Sequence, residues 1–421
     1  MRVICNTFLA MIAVTFAGLA PAQSVLVSSG PTLNLVEVTD TGMTIVDSAS
    51  IPTGDLLVIH QIFSVKQHPT NGLIYASSAN PCYSGNVGCW GNGRVDKFEL
   101  VNNQLSWVGA AYIMDDAAFQ ADGISCAQGD ETSTGYPGQE GFCQPTNMVF
   151  SDDGSRLYID DDELDGIEIF SVDPATGDLS FISEGASTSY HGLAYQGDRL
   201  YNGASVISVA GDTPSLVAAI EEGNATEILQ DGTLVSTIYN QRLTAYDLAD
   251  PDAPAVVDDL ALGGGGALDT ARTDDASLFV VSGREVLTSV GWDGATFTQL
   301  DQAATPAPGG GSSRANRGVA LVEQGGNLLA IVAHFQAEDD ADYGTNPTGA
   351  ELWSVDPTTG AFSLVDSEPL GSGWSRTAVV VTGTAPPPPP QATSVPVNAS
   401  WAIWVLIAML LFVAGIRLRV G

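Results

Sequence analysis

Short apolar runs separated by turn residues recur along most of the chain, and the clearest example is residues 151–183, SDDGSRLYIDDDELDGIEIFSVDPATGDLSFIS. Asp153-Gly154 supplies a turn, Arg-Leu-Tyr-Ile a strand, residues 166–172 a second strand, Asp173-Pro174-Ala175-Thr176-Gly177 another turn, and residues 179–182 a third strand. With residues 147–150 in front, the pattern predicts one four-stranded antiparallel unit. A sheet that small cannot bury both of its faces, so it must stack on copies of itself.

The copies are present. The last turn of the unit recurs at Asp40-Thr-Gly, Asn102-Asn-Gln, Asp173-Pro-Ala-Thr-Gly, Gly211-Asp-Thr-Pro, Asp250-Pro-Asp, Asp293-Gly-Ala and Asp356-Pro-Thr-Thr-Gly, which makes seven. The first turn recurs at Asn71-Gly72, Asp153-Gly154, Gly197-Asp198, Asp231-Gly232, Asp274-Asp275 and Gly325-Gly326, which makes six. The first unit has three strands of its own, near residues 25–27, 33–38 and 43–47, and lacks an innermost one. A spare strand, Arg376-Thr-Ala-Val-Val-Val-Thr, lies at the far end and matches Arg317-Gly-Val-Ala-Leu-Val of the preceding unit. Joining the two ends predicts an all-β, seven-bladed β-propeller closed by pairing of N- and C-terminal strands, which removes the exposed sheet edges that an open array would leave. Irregular spacing and a split first unit fit a β-sandwich or an open solenoid less well.

The ends lie outside this pattern. Arg2, the apolar run 8–19 and Ala20-Pro21-Ala22 have the layout of a secretory signal peptide over residues 1–22. The propeller is expected over 23–384, a Pro-rich linker with a sorting-type motif over 385–398, and a membrane-spanning tail over 399–421, where an 18-residue apolar run ends at Arg417-Leu418-Arg419. The trailing arginines place the tail end in the cytoplasm and the folded body outside. Val395-Pro396-Val397-Asn398-Ala399-Ser400-Trp401 resembles the opening of bacterial C-terminal sorting tails of the IPTL and PEP-CTERM kind. That resemblance implies tethering or processed surface display, in the periplasm or at the cell surface of a Gram-negative-type bacterium, with sorting machinery as a partner.

Charge and cysteines narrow the chemistry. A formal net charge of -35 repels nucleic acid and anionic lipid. Cys5 belongs to the discarded segment, and an even set remains in an exported chain, which predicts disulfides of Cys82 with Cys89 and Cys126 with Cys143. A zinc site is the alternative, but neither spacing is C-x-x-C and no His stands close by. The acidic run Asp160, Asp161, Asp162, Glu163 and Asp165 is a candidate for calcium, or a solvated loop; a second run, Glu338 to Asp342, reads the same two ways. No Walker loop, dinucleotide fingerprint, nucleophile elbow or H-E-x-x-H occurs, and no cofactor is expected.

The combination of SDDGSRLYI, DELDGIEIFSVD and PATGDL, with HPTNGLIYASSA and SVDPTTGAFSLV elsewhere, resembles the bacterial lactonase-type propellers of the 6-phosphogluconolactonase kind. In those proteins the matching blade opens with Arg-His and follows its second strand with Asn-Glu-Leu. Here Thr146-Asn147 and Asp162-Glu163-Leu164 stand there, so the fork for an anionic substrate and a candidate acid or base are replaced and only Glu163 is kept.

In a propeller the second-to-third loops and the blade connections share one face. The long segments 79–93, 111–145, 160–165, 303–316 and 335–349 all belong to that face. The residues just before the innermost strands, Thr146, Asn147, His191, Arg317 and Arg376, are placed at the channel mouth there, as a ligand site or as a polar rim. The expected function is non-catalytic binding of a protein, glycan or polymer partner by a monomer through the long-loop face. The alternative is a lactonase-like hydrolase using Glu163 and His191 on an unphosphorylated sugar lactone or related ester.

Overall fold

The apolar runs become strands with both faces covered, because each sheet is sandwiched between two others. The computed structural model describes residues 23–52, 61–81, 90–113, 145–161, 166–186, 192–203, 205–220, 223, 225–238, 242–263, 267–305, 314–336, 347–373 and 375–381. These residues form seven antiparallel sheets of four strands each, the blades of a propeller, numbered here from 1 to 7 along the chain. No helix occurs among the described residues.

Successive residues of one strand serve different neighbours. Val25 and Val27 pack with blade 7 around Ile331 and Leu352, whereas Leu26 between them packs with blade 2 around Ile62 and Phe98. Likewise, Leu157 and Ile159 of blade 3 face blade 2, and Tyr158 faces blade 4. Period-two alternation therefore switches between two dry interfaces rather than between core and solvent, which is why these strands read as continuous apolar runs. An apolar cluster occupies each of the seven blade junctions.

Closure follows the expected route. In blade 1 the innermost strand is Ala378–Val381, followed outward by Gln23–Ser29, Thr32–Thr39 and Gly42–Ser50. The two ends pair antiparallel, Ser24 opposite Val381 and Val27 opposite Ala378. The ring thus has no open edge at its seam.

Turn chemistry explains why the repeat was readable. Asp173 Oδ1 accepts the backbone N–H groups of Ala175 and Thr176 at 2.8 and 2.9 Å, and Asp293 and Asp356 do the same in blades 6 and 7. Gly177 closes the first of these turns at φ +71°, and a Cβ there would meet the Tyr75 hydroxyl oxygen at 2.6 Å. That hydroxyl donates to Gly177 O at 2.8 Å, so the turn also docks blade 3 on blade 2. His68 works similarly at the same junction. It is buried, its Nε2 lies 2.9 Å from Gly154 O, and its ring meets Phe150 edge-on.

The four cysteines, the acidic run 338–342, the signal segment, the linker and the tail lie outside the described residues.

Candidate functional site

Each blade connection enters the innermost strand at its N-terminal end, so those strand starts ring the channel mouth on the long-loop face. A cavity of about 230 Å³ opens there. It is lined by the innermost strands of six blades, with Ser64 and Lys66 from Gln61–Gln67, Thr146 and Asn147 from Pro145–Phe150, Asp269 and Thr270 from Asp269–Arg272, and Arg317 from Arg314–Gln324. Arg376 and Thr377 complete it just ahead of Ala378–Val381. A deeper cavity of about 430 Å³ continues down the channel and shares Lys66, Asn147, Asp269 and Thr270. It adds Leu193 from the remaining blade, together with Thr226, Glu227 and Arg272.

Four of the five rim residues named from the sequence therefore line one cavity: Thr146, Asn147, Arg317 and Arg376. The fifth, His191, lies outside the described residues, as do Asp162, Glu163 and Asp165. The four play different parts. Thr146 directs its hydroxyl to Asp160, at 3.3 Å from both the backbone oxygen and Oδ2. Asn147 Oδ1 accepts from Ser64 Oγ at 3.2 Å and from Met148 N at 2.8 Å. The Arg376 guanidinium sits 4.7 Å from the centroid of the Phe63 ring, a cation–π contact that fixes its position in the wall. Thr270 and Thr377 present buried hydroxyls with no hydrogen-bond partner among the described residues.

Of the acidic run, Asp160 and Asp161 are described and fully buried. Asp160 Oδ1 accepts from Asn202 Nδ2 at 2.7 Å, which ties blade 3 to blade 4. Burial, and then the charge of Asp161, raise Glu184 to about 7. Among the described residues no group of three His, Cys, Asp or Glu side chains is placed to hold a metal ion.

Three charged residues that sequence reasoning passed over lie at the centre of the site: Lys66, Asp269 and Glu227. Lys66 and Asp269 keep part of their surface open to the channel, but the channel walls surround them, so their charges feel protein more than bulk water. Burial lowers the Lys66 pKa, and Asp269 and then Glu227 pull it back only in part. Burial raises Asp269 to about 7, against the N–H groups of Val319 and Thr270 and the charge of Lys66. The Val319 N–H donates to Asp269 Oδ2 at 2.9 Å. Burial also raises Glu227, opposed by Arg272, whose Nε donates to Glu227 Oε1 at 2.7 Å. The available signal was a charged residue inside a short strand that the turn pattern makes innermost. Q-I-F-S-V-K-Q read alone looks like a strand ending at the surface.

The result is a polar channel whose mouth carries three cationic side chains and a carboxyl that titrates near neutrality. It can hold an anionic group and exchange a proton with what it holds.

No protein-family model matches the chain, and no curated protein matches it. Among solved structures, it is similar to a candidate 6-phosphogluconolactonase from Bacteroides uniformis, with TM-score 0.57 and 10% identity over 86% of this chain and 100% of that one. It is also similar to a hypothetical selenium-binding protein from Sulfolobus tokodaii, with TM-score 0.54 and 10% identity over 88% of this chain and 96% of that one. At such identities the likeness is one of fold.

Proposed function

We propose that this is an exported, envelope-tethered propeller whose long-loop face binds a partner through an anionic group, seated in the mouth of the central channel. The observation that carries this reading is the placement of Lys66, Arg317 and Arg376 around one cavity of about 230 Å³ in a chain of net charge -35. A chain so acidic repels anions on balance, so a concentration of cations at one concave point favours their binding there. Carboxylates suit the arginine forks, and hydroxyl groups beside the carboxylate suit a polar wall that includes Ser64, Thr146 and Asn147. Sugar acids, free or pendant on a surface polymer, combine both features.

Titration calorimetry of the exported chain with gluconate, galacturonate oligomers and neutral glucose tests this. Heat with the acids and none with glucose is the expected result. Equal binding of glucose, or no binding of any acid, overturns it.

A second reading, hydrolysis of a sugar lactone, is favoured by Asp269. A carboxyl raised to about 7 is matched to general acid–base work at neutral pH, and the fold is shared with a candidate lactonase. Turnover of unphosphorylated aldonolactones that falls by about 10²-fold or more in Asp269→Asn supports it; absence of turnover across the panel removes it.

A further inference from the structure

The chain contains only two lysines, Lys66 and Lys97. Lys97 is a fastened cation, its Nζ donating to Asp178 Oδ1 at 2.5 Å and to Thr176 O at 2.8 Å. Lys66 is different. It lines both channel cavities, and its side chain has no hydrogen bond or ion pair among the described residues. Two carboxylates lie near enough to influence it, yet each is engaged elsewhere, Glu227 with Arg272 and Asp269 with the Val319 N–H. A lysine kept as a counter-ion would be drawn into contact with one of them. This amine is left facing the cavity.

We propose that Lys66 forms an imine with a ligand carrying both a carbonyl and a carboxylate, of which an aldehyde acid or a 2-oxo acid is the minimal form. The proposal rests on the anion-binding reading of the same cavity, since Arg317 and Arg376 would hold the carboxylate. A cavity of about 230 Å³ then brings a carbonyl beside that carboxylate within the space that Lys66 also lines. Burial supports the chemistry by enlarging the fraction of neutral, nucleophilic amine.

The step balances. The Nζ lone pair forms a bond to the carbonyl carbon, and the proton that nitrogen loses passes to the carbonyl oxygen, giving a carbinolamine. Its hydroxyl leaves as water on taking a proton from the Asp269 carboxyl, which leaves a protonated imine beside the Asp269 carboxylate. Asp269 lines the same cavity, and a carboxyl that titrates near neutrality can give and recover that proton.

The test treats the full exported chain with glyoxylate, or with uncharged glycolaldehyde, in the presence of sodium cyanoborohydride. Adducts are located by peptide mass spectrometry, with N-acetyl-lysine amide as the solution reference. Glyoxylate is expected to modify Lys66 several-fold faster than the reference amine, because the arginines hold its carboxylate beside the amine and burial enlarges the neutral fraction of that amine. Arg317→Gln should slow the glyoxylate reaction and leave glycolaldehyde unchanged. Lys66→Arg should lose the adduct, whereas Asp212→Asn, whose ion pair with Arg156 lies away from the channel, should keep it. Modification of Lys66 no faster than the reference overturns the imine proposal. If gluconate still binds in that case, the anion site survives by itself; if gluconate also fails to bind, both readings fall.

Discussion

The two ends of the propeller use charge in opposite ways. On the tight-turn face, successive blades are stapled by ion pairs that reach across the junction: Lys97 of blade 2 to Asp178 of blade 3, Arg156 of blade 3 to Asp212 of blade 4, and Arg199 of blade 4 to Asp252 of blade 5. In each case the acid sits in the last turn of the next blade. The partners complete one another, and burial is light on the acid side, with Asp178 56% exposed. In the channel, Arg317, Arg376, Lys66 and Asp269 converge from four different blades on one cavity. Pairing at the tight-turn face secures position at little desolvation cost, whereas charges gathered in a confined cavity carry that cost.

The largest expected effect that separates the two regions is on binding. Arg317→Gln with Arg376→Gln should weaken gluconate binding by about 100-fold or more, at roughly 1.5–3 kcal/mol for each charge-assisted bond lost. Asp212→Asn, which unfastens a rim staple, should leave binding unchanged. Calorimetry on the three proteins reads this directly, and a comparable loss in Asp212→Asn erases the distinction.

Next is the pH dependence of stability. Asp269 titrates near 7 in the folded chain and near 3.9 when unfolded. Between those values the folded protein holds a proton that the unfolded chain has released, so this group's contribution to stability falls as pH rises through that window. Asp269→Asn removes the titration and keeps an acceptor for the Val319 N–H. The variant should therefore exceed the parent in stability at pH 8, on the order of 2 kcal/mol after allowing for the group's partial access to the channel. The gap should close near pH 4. Urea denaturation at the two pH values measures it, and a gap that instead widens toward low pH contradicts the assignment.

The smallest effect sharpens the comparison with the two lysines. Lys97→Met should cost about 1 kcal/mol, because it breaks the contacts to Asp178 and Thr176. Lys66→Met replaces a desolvated amine that has no direct partner, and should leave the melting temperature equal or higher. Thermal melts that show the reverse order mean that Lys66 is held as a structural charge.

Much of this architecture was legible because its determinants are local. Asp173, Asp293 and Asp356 set their turns through their own neighbouring backbone N–H groups, so the turns are visible in a few residues of sequence. Closure was legible for a related reason: a unit short of one strand and a spare strand at the other end leave one arrangement without an exposed edge. Arg317, Arg376, Thr146 and Asn147 could be assigned to the channel mouth because strand polarity fixes which end of each innermost strand meets the loops.

Lys66, Asp269 and Glu227 could not be found that way, being about 160 or more positions apart or on different blades with no shared motif. The sequence by itself determined seven sheets, their turns, their order and the seam between Gln23–Ser29 and Ala378–Val381, because hydrophobic alternation and turn chemistry act over a few residues. Only the tertiary structure decided that an unpaired lysine, a near-neutral carboxyl and two arginines share one cavity. Their proximity comes from closing the ring, and the shifted titrations of Lys66 and Asp269 come from the low-dielectric walls that the closed ring places around them.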